Sequence, residues 1–212
     1  MIKNCLARIG CLTVVLLVVG GGWWFREDIA GWWNRLEITS SSQPSEELAA
    51  RASEKMKNLA RGNGSGSLDL TQAEIQSLLT YRAGPLLPSG ISDPIVELGD
   101  STVLLSARVD PRELDGLASP EVVERLFSDS ARVVVELWPG VVAGVARVEV
   151  LAMQAGSIVV PSMMVPWILG SLQMPGVETT GASLLVPTPG PVGRFAVDGG
   201  RLVLDLAPRA GL

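Results

Sequence analysis

The N-terminal segment, Met1 to Phe25, constrains this chain more than any other part. MIKNCLAR leads into a run without charge from Ile9 to Phe25 that closes in GGGWWF. Cys5 to Phe25 spans about 31 Å as a helix at the standard rise of about 1.5 Å per residue, long enough to cross a hydrocarbon core. Arg8 is the one charge in that stretch and sits at its entry end, where a long side chain can snorkel. The expectation is a transmembrane helix within 5–25, with the rest of the chain working at a membrane surface. Lys3 and Arg8 precede the span, whereas Arg26 is followed at once by Glu27 and Asp28. The positive-inside rule then puts Met1 in the cytoplasm and residues 26–212 outside, in a periplasmic or extracytoplasmic compartment. A cleaved signal peptide is the alternative, with Leu12 to Val19 as its apolar region and Gly20 to Gly22 as its small-residue site.

Tryptophan marks the far end of the span. Trp23 and Trp24 close it, and Trp32 and Trp33 recur nine positions later. Ile29, Trp32, Trp33 and Leu36 fall at i, i+3, i+4 and i+7, one face of a short helix. Indole rings favour the headgroup level, so residues 26–37 read as an interfacial amphipathic helix. Packing on the chain's own domain, or on a neighbouring membrane protein, are the other two readings of the same rings.

Missing residue types exclude several chemistries. The chain has no histidine. That removes Ser-His-Asp and Cys-His catalysis, HExxH metalloprotease chemistry and every His-ligated cofactor. Cys5 and Cys11 are the only cysteines; six positions apart on a helix, they do not share a face. Lysine occurs only at 3, 55 and 57, so no Ser-Lys dyad exists beyond residue 57. Residues 62–212 carry 9 Arg against 16 Asp plus Glu, a net of −7. Such a surface repels nucleic acid and anionic headgroups. The expectation is a non-enzyme with no cofactor, no metal and no nucleic-acid partner.

Past the anchor, 38–67 reads as a hinge (ITSSSQP), an amphipathic helix and a Gly/Ser joint. Ser45 caps the helix, Glu46 and Glu47 lie in its first turn, and Leu48, Ala52, Met56 and Leu59 form its apolar stripe. Residues 68–212 read as a folded domain. Thr71-Gln72-Ala73-Glu74 matches a capping box, opening a helix with Ile75, Leu78 and Leu79 on one face. From 92 onward the period becomes two, through Val103 to Val109, Ala131 to Leu137 and Val145 to Leu151. Ser119-Pro120-Glu121 starts a second helix, carrying Val122, Val123, Leu126 and Phe127. Ser162 is the expected cap of a third, MMVPWILGSL. Asp198-Gly199-Gly200 joins a closing hairpin. The fold class expected is α+β: an N-terminal transmembrane helix, then a mainly antiparallel sheet domain with short helices.

SLDLTQAEIQSLL, VELGDSTVLLSARVD, GSIVVPSMMVPWIL and VDGGRLVLDL, taken in order, resemble the YpmS-like family of bacterial proteins over roughly residues 68–206. The resemblance implies a single-span, membrane-anchored, extracytoplasmic protein. It also implies a fold similar to tubular lipid-carrying domains, in which a curved sheet wraps a helix. The family's helix-start motif has Asn before paired leucines; Gln76-Ser77-Leu78 departs from it. No catalytic residue carries over.

Met163, Met164, Trp167 and Ile168 are the candidate partner or lipid contact, because Met and Trp make large, adaptable contacts. A plain core segment is the competing reading. Asp110, Glu113 and Asp115 offer oxygen ligands, but their spacing matches no recognised Ca²⁺ loop, and a solvated acidic turn explains them. Tyr81 and Arg82 stand near PLLP, where a groove mouth is conceivable. Two functions fit. One is a non-catalytic accessory subunit of a larger bacterial membrane complex, respiratory or photosynthetic, whose partners are membrane lipid and other integral membrane subunits. The other is an extracytoplasmic lipid-binding or lipid-shuttling domain.

Overall fold

The computed structural model describes residues 43–62, 66–83, 87, 90–110, 113, 130–171 and 177–208. The apolar run at 5–25, the tryptophan segment at 26–37 and the helix expected from Ser119 lie outside these residues. Nearly half of the described chain is strand, and only three short helices accompany it. The α+β expectation is therefore corrected to mainly β, and with it the tubular arrangement of a sheet wrapped around a helix. No helix among the described residues is long and apolar enough to cross a membrane.

Helix α1 spans Glu46–Ala60. The Ser45 hydroxyl accepts from the Leu48 amide, and Glu46 and Glu47 sit in the first turn, as a capped N-terminus requires. Its buried residues are Ala49, Ala52 and Leu59, whereas Met56 is 47% exposed. The buried stripe is thus rotated from the one the apolar residues alone suggest. Two alanines let α1 approach α2 (Gln72–Leu78) closely, and that contact decides which face turns inward.

Among the described residues, ten strands follow one another in chain order: β1 Ser67–Thr71, β2 Ile91–Leu98, β3 Val103–Val109, β4 Ala131–Val142, β5 Val145–Ala155, β6 Ile158–Val159, β7 Glu178–Thr180, β8 Ser183–Val186, β9 Val192–Asp198 and β10 Arg201–Leu206. They form two antiparallel sheets. One runs β1-β10-β9; the other runs β2-β3-β4-β5-β8-β7, with β6 beside β5. Strand β9 lies against β4 and β5, so the two sheets share a core. That core gathers Leu59, Ala146, Val192 and Leu204. A second cluster, Val150, Met153, Val165 and Leu169, holds α3 (Val165–Ser171) on the larger sheet.

Strands β4 and β5 are longer than Ala131–Leu137 and Val145–Leu151. Trp138-Pro139-Gly140 has the composition of a turn, yet the strand runs through it. Strand β3 ends opposite Leu137, where Val103 pairs. Beyond that point β4 has only β5 beside it, so Pro139 sits where a missing N–H costs nothing. On β5, Leu137 faces Val150 and Glu136 faces Ala152, leaving Leu151 unpaired in a bulge. The bulge resets the alternation, which lets Val150 and Met153, three apart, enter one cluster. Ala143 and Gly144, both at positive φ, close the β4–β5 hairpin. Gly199 and Gly200 close the β9–β10 hairpin in the same way, as Asp198-Gly199-Gly200 predicts.

Candidate functional site

Two short helices of equal length border the larger sheet, and each builds a different surface. On α2 the Thr71–Glu74 capping box forms in full. Glu74 is nevertheless buried, and its carboxylate receives more than the helix start. Lys55 of α1 donates to it at 2.8 Å and to the Asp69 carbonyl at 2.8 Å. The Thr71 amide donates at 2.9 Å. Burial alone would raise the Glu74 carboxyl, but the Lys55 ammonium and the Thr71 donors outweigh it, and the group titrates below its ordinary value. One ion pair therefore ties α1, β1 and α2 together. Ser77, fully buried, adds a second tie by accepting from the Ser45 amide at 3.1 Å and donating to the Ala73 carbonyl.

Gln72 and Gln76, one helical turn apart, close the edge of the larger sheet. The Gln76 amide donates to the Pro94 carbonyl at 2.8 Å and accepts from the Val96 amide at 2.9 Å. Gln72 accepts from the Leu98 amide at 3.1 Å. Side chains here supply part of what a neighbouring strand would, occupying the Val96 and Leu98 amides and the Pro94 carbonyl of the β2 edge. Past the β2 bulge, an open cleft of about 440 Å³ is walled by Leu79, Leu87, Ile91 and Pro94, with Gln76 and Asp93 among its polar groups. Tyr81 is exposed and is not part of that wall.

Helix α3 works the other way. Val165 and Leu169 are buried and Ile168 packs beside them. Met163 is 83% exposed and Trp167 49% exposed. Met164 is half-buried. The candidate contact group thus divides: Met163 and Trp167 point outward, while Ile168 belongs to the core cluster. Ile158 and Val159 of β6, just before the helix, are also exposed. Ser162 is not the cap expected. A 3₁₀ turn, Ser162–Met164, leads into α3 after Pro161, and no side chain caps it.

The remaining candidates are placed as follows. Trp23, Trp24, Ile29, Trp32, Trp33 and Leu36 lie outside the described residues, as does Asp115. Asp110 and Glu113 meet through their backbones, the Glu113 amide donating to the Asp110 carbonyl at 3.2 Å. No group of three His, Cys, Asp or Glu side chains suited to a metal occurs among the described residues. Reading the sequence missed the Lys55–Glu74 pair and the glutamine clamp. The capping-box match points to Glu74, but nothing local announces Lys55, on the preceding helix, as its partner. Comparison with family models, with curated proteins and with solved structures finds no match for this chain.

Proposed function

We propose that this chain is a non-catalytic accessory subunit that positions an extracytoplasmic sheet domain within a larger membrane assembly. The observation that carries the reading is the welding of α1 to the domain. The first described helix after the apolar N-terminal segment is joined to β1 and α2 by the Lys55–Glu74 pair and the Ser45–Ser77 bond. A domain fixed to its own lead-in helix passes on position, which is what a structural subunit must do. Lys3 and Arg8 support a cytoplasmic N-terminus, with anchoring through the apolar segment at 5–25. The absence of histidine in the sequence, and the confinement of cysteine to positions 5 and 11, support a role without hydrolysis or redox turnover.

The test is purification of the full chain in mild detergent with mass spectrometry of what accompanies it. Integral membrane proteins should co-purify in fixed ratio, and Trp32→Ser with Trp33→Ser should weaken that association while leaving the circular dichroism of the domain intact. Recovery of the chain alone contradicts the reading. A lipid-binding domain is the second reading, favoured by the apolar part of the cleft beside α2. Its signature is a bound lipid that survives purification in fixed ratio.

A further inference from the structure

We propose that the larger sheet binds a neutral saccharide on Trp138, on the face turned away from both core clusters. The inference goes beyond the accessory role and does not depend on it. Leu137 and Val141 pack on the clusters, so Trp138 and Gly140, which alternate with them along β4, stand on the opposite face. A Cβ at Gly140 would lie 2.5, 2.7 and 3.2 Å from Cζ3, Cη2 and Cε3 of the indole. Distances so alike to three consecutive ring atoms mean that the six-membered ring lies face-on over the glycine rather than edge-on. One ring face therefore rests on the backbone and the other is turned to solvent, with Trp138 41% exposed.

Register fixes what surrounds the ring. Glu149 stands opposite Trp138 and Arg147 opposite Gly140, both on the same face. Arg147 Nη2 donates to Glu149 Oε2, which leaves Arg147 Nη1 as a donor and Glu149 Oε1 as an acceptor. Both side chains are half-buried. Two strands further across, Glu178 and Thr180 of β7 are exposed on that face.

These groups select the ligand. The negative face of an indole attracts the polarised C–H groups that line one side of a pyranose ring. Each sugar hydroxyl both donates and accepts, and the Arg147–Glu149 pair offers one of each beside the platform. An anionic ligand is repelled by Glu149 and Glu178, within a region, 62–212, of net charge −7. A cationic ligand meets Arg147. Protein interfaces are poor in glutamate, which here flanks the ring. A neutral saccharide meets none of these objections, and one stacked ring with a few hydrogen bonds gives affinity on the order of millimolar.

The experiment uses the full chain in phosphatidylcholine nanodiscs, free of glycosidic detergent. Saturation-transfer NMR is recorded with cellotetraose, chitotetraose, maltotetraose and mannotetraose. At least one should receive saturation, most strongly at the C–H protons of one ring face. Trp138→Ala should weaken that binding at least about fivefold. Glu149→Gln should weaken it about threefold, through one impaired hydrogen bond. Gly140→Ala keeps the indole but lifts it from the sheet, and should weaken binding too. Trp138→Tyr, which keeps a platform, should retain most of it. Circular dichroism reports whether each variant folds, and Glu149→Gln with Trp138→Tyr decides the matter if the other two do not. Saturation of none of the four saccharides overturns the proposal. So does binding that a folded Trp138→Ala leaves unchanged, or tighter binding of acidic tetragalacturonate. A dimer that Trp138→Ala turns into a monomer, by sedimentation, assigns the face to a second copy and overturns it as well. Co-purification of subunits is read separately, so failure here leaves the accessory role standing.

Discussion

Helices α2 and α3 are the same length and both border the larger sheet, yet they use their side chains in opposite ways. Helix α2 buries polar groups, Glu74, Gln76 and Ser77, and leaves Ile75, Leu78 and Leu79 less completely enclosed than they are. Helix α3 buries Val165 and Leu169 and holds a tryptophan outward. The first is fixed by directional bonds to particular backbone groups, the second by undirected apolar packing. The lesson is that a surface whose polar groups are all committed inward belongs to the fold. A large apolar face that the fold does not use is open to a partner.

That contrast breaks first at Gln76. Replacing Gln76 with Met keeps its length but strands the Val96 amide and the Pro94 carbonyl. Urea unfolding should show a loss of about 2–3 kcal/mol, the cost of one buried amide and one part-buried carbonyl left unpaired. Lys55→Met comes next. It leaves Glu74 buried with only its Thr71 donors, and because Lys55 is partly exposed the loss should be about 2 kcal/mol at neutral pH. Its pH dependence sharpens the assignment. In the parent the Glu74 carboxyl is held below its ordinary 4.5, so its contribution is present above that pH and is lost as pH falls through the lower, folded-state value. In the variant the lowering by Lys55 is gone, and the deficit relative to the parent should shrink as pH falls and Glu74 becomes protonated in both proteins. A deficit independent of pH would mean the ion pair is not what joins α1 to α2.

Two backbone changes give smaller effects away from both helices. Gly90 sits at φ +86°, and a Cβ there would lie 2.6 Å from the Asp110 carbonyl oxygen. Gly90→Ala should cost about 1–2 kcal/mol by urea unfolding. Ala143 occupies the left-handed region at φ 52° in the β4–β5 turn. Ala143→Gly should raise stability by about 0.5–1 kcal/mol, because that strain is relieved.

Local chemistry was legible in the sequence wherever its partner was also local. Ser45, the Thr71–Glu74 box and Asp198-Gly199-Gly200 act over short spans of chain, and each forms as its spacing predicts. Features set by distant neighbours were not legible. Pro139 is tolerated because β3 has already ended beside it. The Leu151 bulge depends on the register with β4. The inward face of α1 is chosen by its packing on α2, and Gln76 reads a strand well beyond its own helix. The candidate contact group was found by residue type alone. Which of its members face outward depends on where β5 and β8 place α3, and no periodicity within MMVPWILG states that.

The most direct test of the central claim compares two residues of α3 by urea unfolding of the full chain. Leu169 is buried in the cluster with Val150 and Met153, and Trp167 stands two positions away on the outward side. Leu169→Ala should cost about 2–4 kcal/mol, as removal of a core side chain does. Trp167→Ser should cost no more than about 1 kcal/mol, because half of the indole is exposed and the cluster does not include it. If Trp167→Ser costs as much as Leu169→Ala, the tryptophan is part of the core, and α3 presents no free face.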